Sequence, residues 1–254
     1  MPQFSANLGF LFTEFSLPDA IRAAAHAGFD AVEMHYPYNV PAAEVKAVLA
    51  ETGLPVMSIN TERGDTSAGE NGLAAVPGRE REARESIDQA ISYAAEVGAL
   101  HVHVLAGIAT GEATHTTFLS NLRYACKRAQ PHGIGVLIEP LNRYDAPGYF
   151  LSTAEQAADI LGDVDDHRAK LMFDCYHMQI MGGDLTNRLR ELLPIIGHIQ
   201  FASVPDRGPP DMGEVDFVHI FAQLDELGWD APLGAEYKPN GATVDTLGWM
   251  QRLR

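Results

Sequence analysis

Four acidic or amide side chains close four successive apolar runs in the second half of the chain: Glu139 in VLIEP, Asp174 in LMFDCYH, Gln200 in HIQFAS and Glu236 in LGAEYKP. Burying such groups without partners is costly, so a sequence that repeats the arrangement four times is building a site. Three carboxylates and one amide oxygen converging on a point make a hard, oxygen-rich site for one divalent cation, Mg²⁺ or Mn²⁺. One such glutamate before a proline is often only a solvated turn residue; four at matching strand ends are stronger evidence than any one of them.

Other residues fall near the same ends. His177 follows Asp174 by three positions, where its ring can turn back over a cation and hydrogen-bond a substrate. Arg207, in VPDRGPPDMGE, offers a guanidinium to an anion or a hydroxyl. Lys238 lies two residues beyond Glu236, on the same face of a continuing strand, and would neutralise an oxyanion or steady Glu236. Asn7, Glu33, His35 and Asn60 point to the same rim and suit a supporting role, orienting a ligand or a substrate hydroxyl. His101 and His103 alternate on one strand and read as packed interior side chains. No serine or cysteine sits in a triad-like motif.

These residues need elements that bring them to one rim. Apolar runs at 4–10, 31–36, 55–61, 100–107, 134–140, 169–177, 196–203 and 231–239 alternate with amphipathic segments such as LPDAIRAAAHAGF and REREARESIDQAISYAAEVG. The second type repeats its apolar residues at helical spacing. Several helices end in glycine just before the next strand, at Gly28, Gly53, Gly98, Gly133 and Gly228. Eight strand–helix units over 254 residues fit one (β/α)8 barrel spanning 1–254, an α/β fold whose site belongs at the C-terminal strand ends. A doubly wound open sheet is the alternative, but no glycine-rich dinucleotide fingerprint follows the first strand. The longest irregular stretch, 62–78, leaves strand three at that rim and reads as a binding loop or lid.

Composition narrows the function. Net charge is −16, which repels nucleic-acid phosphates and anionic lipid and leaves an anionic substrate dependent on a few placed cations. No apolar run is long enough to span a membrane. The opening MPQFSANLGFLF lacks a basic n-region, and Cys126 and Cys175 have neither zinc nor redox spacing, so the expected compartment is the cytoplasm.

The segments ANLGFLFTEF, AGFDAVEMHYPY, AAVPGRE, LIEPLNRYDAPGYFL, FDCYHMQIMGGDLT, HIQFASVPDRGPPDMGEVDF and AEYKP resemble the hydroxypyruvate isomerase family, within the xylose-isomerase-like group of TIM barrels. The resemblance covers essentially the whole chain. It implies one metal held by Glu139, Asp174, Gln200 and Glu236, with the two glutamates exchanging protons with the substrate. It also implies a substrate contact from Arg207, to which His177, Lys238 and Asn60 are added here. The implied reaction converts hydroxypyruvate to tartronate semialdehyde through an enediolate. Isomerisation of a 2-oxo-tetronate, or 3-epimerisation of a ketose, would use the same pair. Ketose epimerases often carry His where this chain has Gln200. The chain departs from the family in the loop after strand three, reading NTERGDTSAGENG against N-x-P-x-G-D-W-A-A-G-E-R-G. Abasic-site endonucleases share the barrel but need His-rich zinc ligands and a basic face. A non-catalytic sugar-acid binder would not need both glutamates. The partner expected is thus a small hydroxy-keto acid or ketose, with no nucleic acid and no membrane, and a homo-oligomer is compatible with the sequence.

Overall fold

The computed structural model describes residues 2–254. Eight strands, Phe4–Asn7 (β1), Ala31–Met34 (β2), Val56–Asn60 (β3), His101–His103 (β4), Gly135–Ile138 (β5), Ala169–Asp174 (β6), Ile196–Phe201 (β7) and Leu233–Ala235 (β8), pair in parallel in chain order. β8 pairs back onto β1, with Ser5 opposite Gly234, so the sheet is closed. The barrel reading is borne out, and closure rules out the open, doubly wound sheet.

Helices Leu17–His26 (α1), Ala42–Thr52 (α2), Glu80–Val97 (α3), Glu112–Ala129 (α4), Ala154–Val164 (α5), Cys175–Met181 (α6), Leu185–Leu192 (α7), Phe217–Glu226 (α8) and Met250–Leu253 (α9) connect and cover the strands. α3 shows why its sequence folds this way: Ala83, Ile87, Ala90, Ile91, Ala94 and Val97 recur at helical spacing and are all buried. It ends at Gly98 with φ 76°, a left-handed backbone that costs a residue with Cβ more than glycine. Ser16 starts α1 by accepting the Asp19 N–H on its side chain. None of the described helices is long and apolar enough to cross a membrane.

The strands are shorter than the apolar runs, and always at the end that faces the site. The run 231–239 is strand only to Ala235, and 169–177 only to Asp174. Beyond Asp174 a side-chain hydrogen bond takes over from the ladder. Asp174 Oδ1 accepts the Tyr176 N–H at 2.8 Å and caps α6, which turns His177 from an expected strand residue into a helical one. At β8 the aromatic core does the anchoring. Phe4, Phe201 and Trp249 pack edge to face, and Trp249 Nε1 donates to the fully buried Tyr237 hydroxyl. With Tyr237 held there, its neighbour Glu236 is fixed at the barrel mouth.

Candidate active site

Glu139, Asp174, Gln200 and Glu236 are all buried, and each stands within one residue of the end of its strand. A cavity of about 110 Å³ is bordered by Asn60, His103, Glu139, His177, Arg207 and Glu236. It shares Phe10, His35, Tyr36 and Arg63 with a larger cavity of about 600 Å³ between the loops that follow β1 and β2.

Buried oxygens are expected to be paired, so those without partners point to a missing ligand. Glu139 Oε1, Asp174 Oδ2 and Gln200 Oε1 are buried and have none among the described residues. Gln200 is turned by its neighbour. Its Nε2 donates to Glu33 Oε2 at 2.7 Å, and a carboxylate only accepts, so the amide nitrogen must face Glu33 and the oxygen must face away. Gly234 makes room for this contact: a Cβ there would lie 2.3 Å from Glu33 Oε1 and 2.8 Å from Gln200 Cγ.

Glu236 is engaged more fully. Its Oε1 accepts from Asn7 Nδ2 and His35 Nε2, each at 2.9 Å, and its Oε2 accepts from Arg207 Nη2. Arg207 itself takes a left-handed backbone (φ 53°) that aims its side chain inward. Its guanidinium lies between the rings of Phe10 and Tyr176, at 4.7 and 4.9 Å, and reaches Asp174 Oδ2 at 3.6 Å and Asp145 Oδ2 at 3.4 Å. The charges sort accordingly. Burial and the charges of Glu236 and Asp174 push the Glu139 carboxyl well above the usual range. Burial, with Glu236 beside it, outweighs Arg207 and lifts Asp174 to about 7. Glu236 is also buried, yet Arg207 and the His35 hydrogen bond overcome that cost and hold it down at about 2.

One ligand atom each from Glu139, Asp174 and His177 lie within 4.8 Å of one another, a buried group that could hold a metal ion. The histidine in this group has a defined tautomer. Its Nδ1 accepts the Asn142 backbone N–H at 3.0 Å, and an N–H can only donate. Burial keeps the ring neutral, its pKa driven down to about 3, so the remaining proton sits on Nε2. That Nε2 faces Asp174 Oδ2 at 3.5 Å and Glu139 Oε1 at 3.8 Å. A metal-ligating imidazole normally donates its other N–H; here the other nitrogen accepts. The oxygens of Glu139, Asp174 and Gln200 therefore fit a cation better than the His177 nitrogen does.

Of the other residues expected here, Asn60 borders the small cavity, and Asn7, Glu33 and His35 contact Glu236 or Gln200 as described. Lys238 does not join. Because β8 ends at Ala235, Lys238 shares no strand face with Glu236; it is exposed and only its backbone N–H is used, donating to the Arg207 carbonyl. His103, expected to be mere interior packing, lies with Nδ1 3.6 Å from Glu139 Oε2. The sequence did not single it out, since His103 lies within the run 100–107 and only the structure ends β4 there. Asp145 and Asn142 gave no signal, because both act through side chains from other strands. In the loop after β3, Arg63 and Asn71 border the small cavity.

A family model described as "Xylose isomerase-like TIM barrel" matches residues 21–253. The chain belongs to that family. It is 42% identical to the 2-oxo-tetronate isomerase of Cupriavidus necator, over 99% of this chain and 98% of that one. It is 38% identical to the hydroxypyruvate isomerase of Escherichia coli over the full length of both. A crystal structure from Brucella melitensis, described as an AP endonuclease of family 2, superposes with a TM-score of 0.96 at 39% identity, covering all of both chains. The resemblance to hydroxypyruvate isomerases is thus borne out across the full chain.

Proposed function

We infer that the chain is an isomerase of a small hydroxy-keto acid, working with one Mg²⁺- or Mn²⁺-class ion. The observation behind this reading is that Glu139 and Glu236 border one small cavity, while the buried oxygens Glu139 Oε1, Asp174 Oδ2 and Gln200 Oε1 lack partners among the described residues. Two carboxyl groups facing one compartment are placed to act as an acid–base pair.

Glu139, Asp174, Gln200 and Glu236 are the residues to hold the cation. Bound there, it would supply the positive charge that stabilises the anion formed when a carbon beside a carbonyl loses its proton. Everything else falls to side chains. One glutamate takes the proton and the other manages its return to the neighbouring carbon, and microscopic reversibility gives each both roles. Asn7 and His35 fix the Glu236 carboxylate, Arg207 meets the oxygen beside it, and His177 Nε2–H donates to a substrate oxygen. The full-length similarity to a 2-oxo-tetronate isomerase and a hydroxypyruvate isomerase supports a three- or four-carbon acid over a ketose for 3-epimerisation. The chain's net charge of −16 opposes a nucleic-acid substrate.

Turnover of hydroxypyruvate and of 2-oxo-tetronates by the cation-loaded enzyme tests the substrate class, and running it in D₂O tests the chemistry. A proton parked on a carboxylate at the barrel mouth exchanges with solvent before it returns; a migrating hydride does not. Deuterium is expected at the receiving carbon of product sampled at low conversion. Product free of solvent deuterium that retains all of a substrate label would overturn the proton-transfer route.

The tautomer argument has its own test. Gln200→Ala should weaken Mn²⁺ binding by roughly 10–100-fold, the usual cost of disturbing a ligand set. His177→Ala should leave the Mn²⁺ Kd within about threefold while lowering kcat/KM. Equal losses of Mn²⁺ affinity in the two variants would make His177 a ligand.

A further inference from the structure

An acid substrate needs a local cation, because a chain of net charge −16 offers an anion no general attraction. The buried guanidinium is already engaged. Glu236, Asp174 and Asp145 surround Arg207, and two rings cover its faces. Lys238 is exposed and borders neither cavity of the mouth.

Arg63 differs from both. It stands near the start of the loop after β3 and borders the small compartment that holds Glu139 and Glu236, at its junction with the larger cavity. Its Nε donates to the Tyr36 hydroxyl at 2.8 Å, and its guanidinium lies 5.1 Å from the centre of the Tyr36 ring. Among the described residues this is its one side-chain hydrogen bond, and no carboxylate lies within 4.0 Å of it. Nη1 and Nη2 are therefore left without partners, on a side chain braced by Tyr36 at the cavity wall. Two parallel N–H donors match the two oxygens of a carboxylate, and a braced guanidinium loses less freedom on binding than a free one.

We propose that Arg63 is the anchor for the substrate carboxylate and sets the preference for acids, with the carbonyl and hydroxyl end directed at Glu139 and Glu236. Arg207 then serves the reacting oxygens and Glu236 rather than the carboxylate. The proposal rests on the hydroxy-keto acid reading.

A charge series at this exposed position tests it: Arg63→Lys, Arg63→Ala and Arg63→Glu, each measured for KM and kcat on the best hydroxy-keto acid. Pyruvate, which has no hydroxyl to isomerise, serves as a competitive inhibitor in the same assays. KM and the pyruvate Ki should rise in the order Lys, Ala, Glu, by about tenfold or more for Ala. The kcat should stay within about threefold throughout. A residue that merely shaped the loop would make Lys fail like Ala and would lower kcat and Tm together. KM and Ki within about twofold of wild type across the series would overturn the assignment. Wild type that turns over no small hydroxy-keto acid would instead overturn the functional reading, and this anchor with it.

Discussion

Glu139→Gln and Glu236→Gln should each lower kcat by at least roughly 10²–10⁴-fold, the range for losing a positioned acid or base. Each glutamine keeps the shape of the side chain and one neutral oxygen but can neither take nor give the proton. The two variants should part company in stability. In the cation-free protein Glu139 is pushed toward its protonated form by burial and by the charges of Glu236 and Asp174. Its ionisation therefore works against the fold above the ordinary carboxylate range, and a neutral glutamine removes that penalty. Its Tm at neutral pH should equal or exceed wild type. Glu236 is the reverse case: its carboxylate is held ionised by Arg207, Asn7 and His35, and neutralising it leaves a buried guanidinium short of its partner. Glu236→Gln should lose about 1–3 kcal/mol. Steady-state kinetics with thermal melts of both variants check this. Either one keeping more than about a tenth of wild-type kcat would remove that glutamate from the chemistry.

Stripping the cation should abolish turnover, and Mg²⁺ or Mn²⁺ should restore it. The same treatment should show in stability, because four buried acidic side chains, Glu33, Glu139, Asp174 and Glu236, meet one buried arginine at this mouth. An ion bound at about 100 times its Kd stabilises the native state by roughly 2.7 kcal/mol. For a chain of this size that corresponds to a Tm rise of about 5–10 °C. Elemental analysis, activity and melts on the same stripped sample decide the matter. Full activity without metal, or a Tm indifferent to both ions, would sink the cation reading.

The repeating order of apolar runs, helical spacing and helix-ending glycines was enough to specify a closed eight-unit barrel, because each signal is local: burial periodicity and backbone conformation are set within a few residues. The rim was legible for a related reason. In a parallel barrel every strand ends on the same side, so Glu139, Asp174, Gln200 and Glu236 could be gathered to one mouth by counting strands. What the counting missed is contact between side chains from different strands. Lys238 was misplaced because β8 stops at Ala235, and where a strand stops depends on its neighbours. The Gln200 amide is oriented by Glu33 from β2, and the His177 tautomer by an Asn142 backbone N–H that follows β5. The commitment of Arg207 to the carboxylates, while Arg63 has no carboxylate partner among the described residues, is likewise a matter of which groups meet across the barrel. Sequence alone determined the architecture and the chemical types at the rim, since both follow from local pattern. Only the tertiary structure decided proton positions, charge pairing and unpaired oxygens, since these are set by distances between residues far apart in the chain.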